Sequence, residues 1–362
     1  MSPVFVICTG RCGSTFVSKL LRAHPQILSL STFFSATIGR AFPDAELTGT
    51  EFWGVLSGRN RPTEDLLRKG ARVPEILYPY QSGGFNLRTG IPSILYFALP
   101  LLTDDPDGLY WELDLVVKWW PRRPVADHYR ELFRWLANRF SKPAVVERSG
   151  QSITWIPQLR AMFPEAKFVH LYRNGPDCAV SMSTSPIFRL FAFRSEAARL
   201  TGLPWGAPLD DHHLSLLPDH LARVASGDYD LSSLMSDDIP ITWFGRMWAT
   251  QVSTGVGELA KLPSAMRMST NYDTLLSNPV PELTRLARFA GVEPTDEWLR
   301  HAAGRVDPSR SGASHGLDPA TLAQLEKACA PGIDALQWAS RLDGAEPLQA
   351  PRAPVGAHQR SS

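Results

Sequence analysis

Val4-Phe5-Val6-Ile7-Cys8-Thr9-Gly10-Arg11-Cys12-Gly13-Ser14-Thr15-Phe16-Val17-Ser18-Lys19-Leu20-Leu21 predicts a short buried strand, a Gly-bracketed turn and the opening of a helix. The N–H groups of a first helical turn have no intrahelical partner, and the helix dipole makes that end positive. With the Ser14 and Thr15 hydroxyls beside them, such a turn is a cradle for phosphate or sulfate. The nucleoside triphosphate version of this loop has two Gly separated by four residues, then Lys and Ser or Thr. Here two residues separate Gly10 from Gly13, no Lys follows Gly13, and the one cation, Arg11, lies inside the loop. Kinase and ATPase readings therefore lose ground. A Gly-rich strand-to-helix turn also serves as a plain tight connection, so a second signal is needed.

Residues 163–184 supply it. Lys167 to Tyr172 reads as a strand, Asn174 and Gly175 as a turn, and Pro176 as the opening of a helix. Arg173 ends the strand and Ser181 falls in the helix's second turn, so both can face the space above the sheet edge, where open α/β sheets bind ligands. A guanidinium and a hydroxyl converging there suit a separate, second phosphate.

Both segments resemble the signatures of the sulfotransferases that use 3′-phosphoadenosine 5′-phosphosulfate (PAPS). Arg11-Cys12-Gly13-Ser14-Thr15 is similar to that family's 5′-phosphosulfate loop, and Arg173 with Ser181 matches the Arg and Ser of its 3′-phosphate motif. Asn271-Tyr272-Asp273-Thr274-Leu275-Leu276 is similar to its Tyr-Glu-Asp-Leu segment. Residues 305–329 are similar to the C-terminal loop that closes over the nucleotide in bacterial and tyrosylprotein members. The resemblance spans roughly residues 3–30 and 140–340. It implies a P-loop-like α/β fold, a parallel sheet of about five strands flanked by helices. It also implies a donor site drawn from Arg11, Cys12, Gly13, Ser14, Thr15, Arg173, Ser181, Tyr272, Ser309 and Arg310. PAPS would be the co-substrate, 3′-phosphoadenosine 5′-phosphate (PAP) its product, and no metal is required.

Composition narrows the class further. The 362-residue chain is 44% hydrophobic, enough for a substantial core. With 37 basic and 36 acidic residues it carries a net charge of +1, so it lacks the basic surface that nucleic acids or glycosaminoglycan acceptors demand. Cys8, Cys12, Cys178 and Cys329 are too few and scattered for a disulfide framework and point to a reduced, cytoplasmic protein. No apolar stretch approaches the ~20 residues of a membrane span, and a strand beginning at residue 3 or 4 leaves no room for a removed signal. His and Cys spacing offers no metal set. One domain is expected over residues 1–344, with an acceptor-binding insertion at about 40–140, a lid-like segment at about 186–240, and a disordered tail at 345–362.

Aromatic residues crowd the insertion, among them Trp53, Tyr78, Tyr80, Phe85, Tyr96, Phe97, Tyr110, Trp111, Trp119 and Trp120. They line an acceptor pocket or simply pack a core. The expected acceptor is a small, partly apolar molecule of secondary metabolism bearing a hydroxyl or amine. In sulfuryl transfer, charge grows on the bridging oxygen, where Arg11 and the loop amides would stabilise it. The acceptor must also lose a proton. Many relatives carry a Glu about twenty residues after the loop's basic residue, and this chain has Ser29, Leu30, Ser31, Thr32 and Phe33 there. Glu147, in a segment resembling one that frames the site in some members, is the candidate base, and an ion pair with Arg148 is the alternative. His24 reads as a structural cap. Glu112, Asp114, His128, His212 and His213 stay unranked.

Overall fold

A computed structural model describes residues 2–37, 39–204 and 207–342. In chain order the elements that position the site are β1 (Val4–Ile7), α1 (Ser14–Arg22), β2 (Ile27–Ser31), β3 (Ala144–Arg148), β4 (Lys167–Tyr172), α2 (Gly175–Ser183), α3 (Ile241–Ala260), β5 (Arg267–Asn271) and α4 (Pro319–Leu342). The five strands form one parallel sheet in the order β2-β3-β1-β4-β5. The fold is therefore α/β, as the strand-turn-helix reading predicts, and both strands named from sequence keep their limits.

Both sheet faces are covered at the centre of the sheet, which is why β1 is apolar throughout. Alternation sends Phe5 and Ile7 to one face, with Leu28, Leu30, Val145 and Phe168, and Val4 and Val6 to the other, with Ile27, Val146 and Val169. The second face is closed by helices: Leu325 and Cys329 of α4 lie against Gly245 of α3, and Trp248 of α3 fills the space beside Gly175 of α2. The turns after β1, β3 and β4 all open at the same carboxyl edge of the sheet, and β1 lies between the other two.

Several of the insertion's aromatic residues take the second of the two roles expected of them, core packing. Trp53, Tyr78, Tyr96 and Tyr110 are buried in the same apolar cluster as Phe5 and Ile7, and Phe97, a member of that cluster too, also lines a cleft with Thr15 and Arg148. Helices Gly49–Ser57, Pro106–Val117 and Val125–Arg139 carry much of that cluster. Trp119, by contrast, is 86% exposed and faces solvent. Within 187–204 and 207–234, Leu190, Phe193, Leu221 and Leu234 build a smaller cluster, which also takes in Leu66 and Ala71. From this segment the Phe188 ring lies over Gly10. The expected tail at 345–362 lies outside the described residues. Among those described, no helix is long and apolar enough to cross a membrane.

Candidate functional site

Three of the four residues 10–13 are left-handed: Gly10 at φ 85°, Arg11 at φ 54° and Gly13 at φ 80°. The two Gly adopt this region freely, whereas for Arg11 it costs on the order of 1 kcal/mol. Gly13 is doubly constrained, because a Cβ there would sit 2.1 Å from the Tyr272 ring. Tyr272 thus packs under the loop and sets its height. The tight backbone lifts Arg11 clear of the core and leaves its side chain 34% exposed.

Arg11 joins the two motifs. Its Nε donates to Ser181 Oγ at 3.0 Å, and its Nη1 donates to Glu75 Oε1 at 3.1 Å. The two signatures, more than 160 residues apart in sequence, meet in space through this contact. Cys12 and Ser14 are buried beneath it, and Cys178 Sγ reaches the Arg11 carbonyl at 3.8 Å. A hydrogen bond with Cys12 brings the Cys8 thiol down to about 6 despite burial, and the charge of Arg148 acts in the same sense.

A residue that sequence reasoning treated only as a neighbour of Glu147 proves central. Arg148, 4% exposed, donates through Nη2 to Thr15 Oγ1 at 3.1 Å and to Ser31 Oγ at 2.5 Å. Its Nε is buried with no hydrogen-bond partner among the described residues. Burial lowers the basicity of this guanidinium, and Cys8, Glu147, Cys12 and Glu75 oppose that drop. The legible signal was its place at the end of a strand next to β1. Glu147 itself is not brought to this group. It pairs in register with Phe5, so alternation points it at the opposite sheet face, where it is 1% exposed. Its Oε1 accepts from Ser149 Oγ at 2.6 Å, that oxygen in turn accepts from the Phe34 and Ser35 amides, and burial raises the carboxyl to about 7.

The turn after β4 is closed. Arg173 Nη2 donates to Asp177 Oδ2 at 2.8 Å and to the Arg310 carbonyl at 2.7 Å, and its guanidinium lies 5.5 Å from the Tyr272 ring centre. Asn174 caps α2 by accepting from the Asp177 amide. Asp177 then accepts from Gly312 N at 2.7 Å, Ser314 N at 2.9 Å and Ser314 Oγ at 2.7 Å. Burial alone would raise this carboxyl, but the Ser314 bonds and the Arg173 charge hold it below its ordinary value. Residues 308–316 are thus strapped across the start of α2. Ser309 turns onto Asp307 at 2.6 Å, and the exposed Arg310 guanidinium lies over the Phe16 ring at 5.6 Å.

The remaining candidates lie elsewhere. His24 is buried, with Nδ1 accepting from the Gln26 amide and Nε2 meeting the Glu293 carbonyl, the structural role expected of it. Glu112 pairs with Arg139, Asp114 with Lys118 and His213 with Asp210. His128 binds the Leu47 carbonyl. Among the described residues, no group of three or more His, Cys, Asp or Glu side chains is arranged to hold a metal ion.

No protein-family model and no curated protein matches the chain. Among solved structures, it is similar to the sulfotransferase domain of the olefin synthase of Synechococcus PCC 7002, at 16% identity and a TM-score of 0.45, covering 91% of this chain and 94% of that one. It is also similar to the sulfotransferase domain from the curacin biosynthetic pathway, at 13% identity and a TM-score of 0.44, with 91% and 97% covered. A sulfotransferase from Alicyclobacillus acidocaldarius aligns at 14% identity and a TM-score of 0.41, with 96% and 97% covered. At these identities and scores, any functional reading has to stand on the site itself.

Proposed function

We propose that this chain is a PAPS-dependent sulfotransferase that moves the sulfuryl group to a hydroxyl or amine of a small, partly apolar acceptor. One observation carries the reading: two anion-type turns open side by side at the ends of adjacent parallel strands, and Arg11 bridges them through Ser181. The donor set fits a bisphosphorylated nucleotide, since it combines guanidinium groups and hydroxyls from Arg11, Ser14, Thr15, Arg148, Arg173 and Ser181. Arg11, Ser14 and Thr15 would hold the 5′-phosphosulfate, and Arg173, Ser181 and the strap around Ser309 and Arg310 would hold the 3′-phosphate.

When bound, PAPS supplies an activated sulfuryl group. The protein's part is positional and electrostatic. The helix dipole of α1 and the Arg11 guanidinium stabilise charge that develops on the leaving oxygen, a term worth about 3–4 kcal/mol per well-placed donor. Arg148, tied to Thr15, keeps that hydroxyl oriented from below.

Calorimetric titration with PAP, run beside ADP and beside ATP with magnesium, tests the reading. Micromolar PAP, about −8 kcal/mol, with ADP at least roughly tenfold weaker is the expected result. Preference for ATP with magnesium would replace it with a kinase reading. A second reading, a catalytically silent nucleotide binder, draws on the Ser and Thr at positions 31 and 32 and the averted Glu147. PAP binding without PAPS turnover would favour it.

A further inference from the structure

Glu75 is the one carboxylate among the described residues that pairs with Arg11, and nothing in the sequence motifs draws attention to it. It comes from the insertion, seven residues beyond the helix Arg61–Arg68, and its side chain is 31% exposed. It borders a cleft shared with Thr15, Ser31, Thr32, Leu77 and Arg148, and its charge is felt at Arg148. Ser31 and Thr32 are the positions where the expected carboxylate is missing. An ion pair this exposed adds little stability, and a carboxylate beside an anion cradle repels the anion that the cradle would hold. Its place is therefore unfavourable for donor binding and nearly neutral for folding, which leaves the acceptor as the group it can serve.

We infer that Glu75 is the general base of the transfer, supplied by the insertion in place of the absent carboxylate; this rests on the sulfotransferase reading above. Donor binding draws Arg11 onto the phosphosulfate and releases the Glu75 carboxylate at the cleft mouth. The acceptor O–H proton passes to Glu75, the acceptor oxygen bonds to sulfur, and the bond from sulfur to the bridging oxygen breaks. Its electron pair leaves on the 5′-phosphate of PAP, and Glu75 later returns the proton to water.

The test pairs two readouts on Glu75→Gln: calorimetric affinity for PAP, and release of PAP from PAPS at high enzyme concentration with water as the acceptor. The assignment predicts PAP binding unchanged or up to about fivefold tighter, because a repelling charge is gone, together with turnover at least roughly 100-fold slower. Glu147→Gln should leave both values within about threefold. PAP binding weakened in Glu75→Gln would mean that Glu75 merely holds Arg11 in place, and turnover within threefold of wild type would remove it from the chemistry; either overturns the inference. Wild-type protein that binds PAP but releases none from PAPS above the uncatalysed rate overturns it as well. Failure of wild type to bind PAP at all sinks the underlying sulfotransferase reading, and the inference with it.

Discussion

Arg11 and Arg173 stand beyond the carboxyl ends of adjacent parallel strands, yet the first side chain is 34% exposed and the second 8%. Arg11 holds partners it can exchange, one hydroxyl and one half-exposed carboxylate. Arg173 is locked between Asp177 and the Arg310 carbonyl, with Asp273 3.9 Å from its Nε. The difference separates two ways of binding an anion. An open, strained loop gives up its own contacts cheaply and suits a group whose charge changes during reaction. A closed and already neutralised arginine contributes shape and hydrogen bonds more than net charge, which suits recognition of a group that stays put.

The comparison breaks most visibly at Arg11. Arg11→Ala should slow PAPS turnover about 10³-fold while weakening PAP no more than roughly tenfold, measured by PAP release and calorimetry. Unchanged turnover would remove Arg11 from the mechanism. Arg173→Ala should do the reverse, costing PAP about 100-fold in affinity and ADP less than about threefold. Equal losses for the two nucleotides would mean the 3′ site is misplaced.

Glu147 sharpens the comparison by standing outside it. Its folded carboxyl is raised from 4.5 to about 7, so between those values the folded protein holds a proton that the unfolded chain has lost. Stability should therefore be intact near pH 4.5 and fall as pH rises through 7. Glu147→Gln should recover about 3 kcal/mol at pH 8 in urea unfolding and nothing near pH 4.5. A pH-independent difference would refute the burial argument. The smallest effect is expected at the strap: Asp177→Asn should weaken PAP about tenfold and strip hydrogen-exchange protection from the Gly312 and Ser314 amides, and retained protection would show that the strap has another anchor.

Sequence exposed the two turns well, because strand-turn-helix units are local. The loop from Gly10 to Thr15 and the turn and helix carrying Arg173 and Ser181 read from spacing, and the two meet through Arg11 and Ser181. Arg148 and Glu75 did not read, for different physical reasons. Arg148 lies in a recognisable strand, but its importance comes from register: pairing with Val6 and Ser31 turns it toward the loop and turns Glu147 away. A one-residue difference in phase decides which of two adjacent charged residues faces the loop. Glu75 lies in an irregular segment with no period to read, and only tertiary packing brings it to Arg11. The aromatic residues left two roles open for a related reason, since composition records that Trp53 and Tyr96 are large and apolar but not which face they occupy.

The placement of the two turns on neighbouring strands has a further consequence. Hydrogen-bonded strands lie about 4.8 Å apart whatever their side chains, so the gap between the two anion sites is set by peptide geometry rather than by any residue that mutation can reach. The sheet acts as a ruler for the donor. Glu75 has no such gauge, because it hangs from an insertion anchored elsewhere, through the cluster that holds Phe5 and Ile7. Substitution there can move Glu75 while the spacing of the two turns stays the same.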